Sequence, residues 1–173
     1  IVWPAAQTAP SAETETAATP RAYRAVMCVA VFGGTGQIGS QVCQALIACA
    51  EEAGFEAVDH GPMKAESVDY PDQAQFVADA LRDESQALAV LVCGTGIGMS
   101  MVANRYQHLR AAAVSDVFSA AATRAHNDAN VLCMGARTLG VGLACEILTT
   151  FLATEFEGGR HQRRVDKFPT GSV

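Results

Sequence analysis

Aromatic side chains are scarce in this chain: they make up 6% of 173 residues, and only one is a tryptophan, Trp3. A core built on large rings is therefore excluded. Half of the residues are hydrophobic, mostly Ala, Val and Leu, which is the material of packed α/β layers. Positive charge is also short, with 12 Lys and Arg against 18 Asp and Glu and a net charge of −6. That balance argues against a general nucleic-acid binder, which needs a basic face to displace counterions. No apolar run reaches the roughly 18–20 residues needed to span a bilayer. No Cys-x-x-Cys pair occurs among the six cysteines, so neither a zinc site nor a disulfide framework is expected. All six read instead as reduced, and five of them as plain packing residues, of a protein in an intracellular reducing compartment, with cytoplasm and organelle matrix not distinguished. No internal repeat is present.

What is there divides at about residue 25. Residues 1–25 are rich in Ala, Thr, Pro and Glu, show no periodicity and hold Trp3. Such a segment cannot bury enough apolar area to order itself, so contact with another chain is expected, either a non-identical partner or an identical subunit. From Val26 to about Phe168 strand-like and helix-like runs alternate, with a short tail over 169–173. The strand candidates are Val26–Phe32, Phe55–Val58, Ala87–Val92, Arg110–Val114 and Val131–Met134. Gln37–Ala53, Pro71–Arg82, Met99–Arg105, Phe118–His126 and Leu139–Ala153 carry helical spacing. The alternation predicts one α/β domain: a doubly wound, Rossmann-like parallel sheet of about five strands with helices on both faces.

Sites in such folds form where strands end, and Cys93-Gly94-Thr95-Gly96-Ile97-Gly98-Met99-Ser100 stands at such an end. A glycine turn into a helix gathers backbone N–H groups at the positive end of the helix dipole, which suits an anion. A cysteine at its lip is pushed toward thiolate by the same field. A second loop, Gly33-Gly34-Thr35-Gly36-Gln37-Ile38-Gly39, has the look of a dinucleotide fingerprint, with Asp59 about 20 residues on. Gly33, Gly36 and Gly39 are therefore candidates for nucleotide or anion binding. No Tyr-x-x-x-Lys accompanies them, which speaks against a short-chain dehydrogenase.

Several blocks together carry a resemblance. Ser67-Val68-Asp69-Tyr70-Pro71-Asp72, Cys93–Ser100, Ala103-Asn104, Arg110-Ala111-Ala112, His126-Asn127-Asp128-Ala129-Asn130-Val131, Gly135-Ala136-Arg137 and Glu157-Gly158-Gly159-Arg160-His161-Gln162-Arg163-Arg164-Val165 follow one another in a known order. The chain resembles the B-type ribose-5-phosphate isomerases, a family that includes the galactose-6-phosphate isomerase subunits. The resemblance implies aldose–ketose isomerisation of a phosphorylated pentose, ribose 5-phosphate to ribulose 5-phosphate, through a cis-enediolate. It implies Cys93 as the base, oriented by Thr95, and the loop N–H groups of Gly94, Gly96 and Gly98 as donors to the enediolate. His126 would open the sugar ring with Asn127 beside it, and Arg137, Arg160 and Arg164 would hold the phosphate. A homodimer is implied as well, and no metal or organic cofactor.

The chain departs from the family at its first loop, where Gly36 and Gln37 stand in place of an Asp-His pair that contacts the sugar. Gly36 supplies no carboxylate and Gln37 does not titrate. An alternative reading follows, in which a catalytically impaired member serves as a structural or accessory subunit of a larger, organellar complex.

Overall fold

The computed structural model describes residues 27–31, 36–61, 68–83 and 87–169. The expectations for residues 1–25, for Gly33, for Ser67 and for the last four residues lie outside them. Five strands, β1 (Met27–Val31), β2 (Ala57–Asp59), β3 (Ala89–Cys93), β4 (Ala111–Ala113) and β5 (Val131–Gly135), alternate with five helices. These are α1 (Gly36–Glu52), α2 (Tyr70–Ala80), α3 (Ile97–Ala103), α4 (Val117–Asn127) and α5 (Val141–Ala153); a single turn, α6 (Gln162–Val165), follows. The strands pair in parallel in the order β2-β1-β3-β5-β4. The doubly wound sheet expected from the alternation is the fold.

The central strands show why their sequences lack alternation. Every residue of β3 and of β5 is buried, because both faces of the sheet are covered. Leu88, Val90, Val92, Leu132 and Met134 point into one core, with Leu46 of α1, Ala120 of α4 and Phe151 of α5. Ala89, Leu91, Cys93, Val131 and Cys133 point into the other, with Val77 of α2 and Met99 of α3. The edge strands β2 and β4 are only three residues long and partly exposed, which leaves little backbone free to pair with another chain.

This winding places the site. The turn after β3 leads to α3 on the second face, while β1 and β5, its neighbours, feed α1 and α5 on the first. Loops that leave adjacent strands in opposite directions open a crevice at the carboxyl edge of the sheet. Cys93, the last residue of β3, stands at that crevice.

The six cysteines are not all reduced. Cys49 of α1 and Cys145 of α5 form a disulfide, with Cα atoms 6.1 Å apart and 96 residues between them in sequence. The two helices lie side by side on the first face and bring the thiols together. Cysteine usage consequently no longer argues for a reducing compartment. Cys43 and Cys133 are buried packing thiols, as expected. Burial, with Asp59 nearby, pushes the Cys43 pKa up to about 12, and burial beside Cys93 raises that of Cys133. Among the described residues, no helix is long and apolar enough to cross a membrane.

Candidate active site

The β3–α3 turn is built around close approaches. Gly96 adopts φ +78°, and a Cβ there would lie 3.0 Å from the Cys133 and Met134 backbone. Only glycine meets both demands without strain. In this conformation the Gly96 N–H donates to Cys93 Sγ at 3.1 Å. This bond fixes where the sulfur points. Thr95 was expected to orient Cys93; its Oγ1 instead accepts from the Ile97 N–H at 3.4 Å, a long bond that ties down the first turn of α3. Orientation of the thiol falls to Gly96.

The turn after β5 supports the one after β3. Cys93 pairs with Gly135 in register, and the Ala136 and Arg137 N–H groups donate to the Cys93 and Gly94 carbonyls at 2.8 and 3.1 Å. A Cβ on Gly135 would sit 2.7 Å from Thr95 Cα. The Arg137 side chain lies over Gly94, its Nε 3.7 Å from where a Cβ would stand. Cys93, Gly94, Gly96, Gly98 and Arg137 therefore belong to one cluster, with a guanidinium beside the thiol turn.

His126, Asn127, Arg160 and Arg164 form a second cluster elsewhere. His126 is in the last turn of α4, partly exposed, and its ring stacks on that of His161, centroids 4.3 Å apart and planes 7° from parallel. Consecutive left-handed glycines, Gly158 and Gly159, turn the chain so that His161 is buried next to Glu157. Glu157 Oε2 lies 3.9 Å from His126 Nε2 and 3.4 Å from His161 Nε2. Arg160 Nε donates to His161 Nε2 at 3.1 Å. Desolvation, then His126 and Arg160, lower the His161 pKa, partly countered by Glu157. Arg164 sits in α6, one turn from Arg160. Asn127 lines an adjoining cleft of about 620 Å3 with Arg110, Tyr106, Val165 and Phe168.

The two clusters lie at opposite ends of the sheet. Cys93 ends β3, whereas α4 ends just before β5 begins, at the amino edge. Four residue steps of β5, about 13 Å at strand rise, separate those edges. Within one chain Arg137 therefore lies apart from Arg160 and Arg164.

The corner beneath His126 is held by residues that sequence reasoning did not assign. Asp128, left-handed at φ 47°, accepts from Arg110 at 2.8 Å and from buried Arg124 at 3.1 Å. Asn130 bridges the Arg110 N–H and the His108 carbonyl at 2.7 and 2.8 Å. Asn104 pairs reciprocally with Ala111 at 2.8 and 2.9 Å. These blocks of the sequence pattern position the corner. Of the proposed anion loop, Gly36 and Gly39 lie in the first turn of α1, and Gly33 is outside the described residues.

Known proteins are similar to this chain in sequence and in fold. A family model described as Ribose/Galactose Isomerase matches residues 31–168. A putative sugar phosphate isomerase of Bacillus subtilis, YwlF, is 49% identical over 118 residues, covering 68% of this chain and 79% of its own. Ribose-5-phosphate isomerase B of Escherichia coli is 39% identical over 133 residues, covering 77% and 89%. Among solved structures, ribose-5-phosphate isomerase B of Mycoplasma genitalium, with bound ribulose-5-phosphate, superposes with a TM-score of 0.75 at 37% identity. It covers 82% of this chain and 91% of that one.

Proposed function

Since the chain belongs to the ribose/galactose isomerase family, we propose that it interconverts ribose 5-phosphate and ribulose 5-phosphate, in a site shared between two copies of the chain. The Cys93 thiolate takes the C2 proton of the open-chain aldose, and the electron pair moves through C1 to the carbonyl oxygen. Returning a proton to C1, with the O2 hydroxyl proton passed to O1, gives the ketose. Loop N–H groups around Gly94 and Gly98 face the enediolate oxygens, where fixed donors need no reorganisation. His126 and Asn127 of the second copy open the sugar ring. Arg137 of the first copy and Arg160 and Arg164 of the second hold the phosphate, each guanidinium offering a fork of donors.

The observation that carries this reading is the separation of Cys93 from His126 across the sheet. A proton-transfer base and a ring-opening group must touch one pentose phosphate, and a second copy supplies the missing half. The test is turnover of ribose 5-phosphate by Cys93→Ala, by His126→Asn, and by the two refolded together. Each variant alone is expected to be inactive. The mixture regains about a quarter of parental activity, since half the dimers are mixed and each holds one intact site. No recovery would defeat the shared site. Loss confined to one variant would remove the other residue from the mechanism.

Gly36 and Gln37, at the positions of the family's Asp-His pair, favour a second reading in which the chain is an accessory subunit. Absence of turnover in the unaltered chain, with sugar phosphate still bound, would support it.

A further inference from the structure

The corner between α4 and α6 crowds electron pairs at one point. A ring nitrogen of His126, a ring nitrogen of His161 and a Glu157 carboxylate oxygen all lie within 4.8 Å of one another. Arg160 Nε donates to His161 Nε2 at 3.1 Å, so that nitrogen carries a lone pair and the ring proton sits on Nδ1. Glu157 Oε2 faces the same nitrogen at 3.4 Å, acceptor against acceptor, and stands 3.9 Å from His126 Nε2. Both separations exceed the roughly 3.2 Å of an N–H···O bond. An arrangement of converging acceptors is relieved by a cation. The chain offers one such cation in Arg160.

Two imidazoles and a carboxylate are also the donor set of open zinc sites, and they are too nitrogen-rich to favour magnesium or calcium. Their frames are fixed. His126 lies in the last turn of α4, the Glu157 N–H is bonded to the Ala125 carbonyl at 3.0 Å, and the His161 N–H to the Gly158 carbonyl at 2.9 Å. We propose that His126, Glu157 and His161 bind one divalent transition-metal ion of the zinc class, displacing the Arg160 guanidinium. Zinc–nitrogen bonds of about 2.0–2.1 Å require the stacked rings to tilt apart. His126, partly exposed, is free to make that rotation, while His161 stays buried. The ion is not a cofactor. Where His126 opens the sugar ring, an occupied corner blocks turnover, and this consequence alone rests on the isomerase reading.

The test titrates zinc chloride into the metal-free full chain at neutral pH by calorimetry, with electronic spectra of the cobalt(II) form alongside. One ion per chain is expected, with a cobalt spectrum of nitrogen and oxygen ligands and no sulfur-to-cobalt charge-transfer band. Binding is lost in Glu157→Gln and in His126→Gln, whose metal-free melting temperatures stay close to that of the parent. Arg160→Met, which removes the competing guanidinium, binds zinc more tightly. A thiolate band would move the ion to a cysteine and overturn the assignment. So would the absence of a binding event, or binding unchanged in both variants. Turnover is measured separately: zinc bound at this corner with undiminished isomerisation would remove His126 from the reaction and leave the metal site standing.

Discussion

Gly96 donates its backbone N–H to the sulfur of Cys93 across 3.1 Å, so one glycine sets both the shape of the thiol turn and the direction in which the sulfur is held. Gly96→Ala meets two costs. The left-handed backbone costs an alanine about 1–2 kcal/mol, and its Cβ falls 3.0 Å from the Cys133 and Met134 backbone, which cannot swing aside. The variant is expected to melt lower and to alkylate more slowly at Cys93 with iodoacetamide, because the N–H leaves the sulfur. Unchanged alkylation at neutral pH would show that this N–H does not control the thiol.

Two other glycines of the site separate by what a methyl group would strike. At Gly135 it is the Thr138 hydroxyl and also packed backbone, Thr95 Cα at 2.7 Å and its carbonyl carbon at 2.9 Å. At Gly98 it is the Tyr70 ring, 2.9 to 3.1 Å away at the outer end of a partly exposed side chain. A ring tip yields cheaply and a packed turn does not. Gly135→Ala is expected to lose most ribose 5-phosphate turnover, and Gly98→Ala much less. Equal losses in the two variants would mean that the tyrosine is fixed as firmly as the turn.

The first of these turns was legible in the sequence because its geometry has few solutions: a buried strand, a cysteine and spaced glycines specify a strand-to-helix turn wherever they occur. The five strands were equally legible, since β3 and β5 are unbroken apolar runs and the helices between them carry a 3.6-residue period. The role of Glu157 and His161 was not. It depends on Gly158 and Gly159 both turning left-handed, and a pair of glycines does not announce which way it turns. Nor does α6, four residues long, carry any period to read. The Cys49–Cys145 bridge was hidden for a topological reason. Its partners sit 96 residues apart on helices that become neighbours only once the strand order is known. Thr95 shows the limit of motif reasoning: a hydroxyl two residues from a thiol was assigned to it, and backbone geometry sends it to Ile97 instead.

Asp116 makes the start of α4 sensitive to acid. Its carboxylate accepts from the Ser119 N–H and from the Ser119 hydroxyl, both at 2.7 Å. The backbone bond, then the hydroxyl, hold its pKa below the ordinary carboxylate value. A carboxyl whose pKa is lower folded than unfolded stabilises the fold above the unfolded value, about 3.9, and that stability is lost as pH falls through the folded value. Asp116→Asn keeps an N-cap acceptor but removes the titration. Thermal melts between pH 7 and pH 3 should show a shallower acid limb in the variant. Identical limbs would assign the acid sensitivity to other carboxyls.

The bridge between Cys49 and Cys145 ties α1 to α5 across most of the described domain, and both helices pack on the same face of the sheet. Closing so long a loop restricts the unfolded chain more than the folded one, which is worth about 2–4 kcal/mol. Reduction is therefore expected to lower the melting temperature of the parent. Cys49→Ser with Cys145→Ser should melt near the reduced parent and show no further response to reductant. Cys43→Ala is the control: this buried thiol leaves the bridge intact, so its variant should melt lower but keep the full reductant-dependent shift. A parent whose melting temperature ignores reductant would mean that the bridge either does not form in solution or strains the fold as much as it restrains the unfolded chain. Mass measurement after alkylation under denaturing conditions decides between the two, because only a bridged pair escapes labelling.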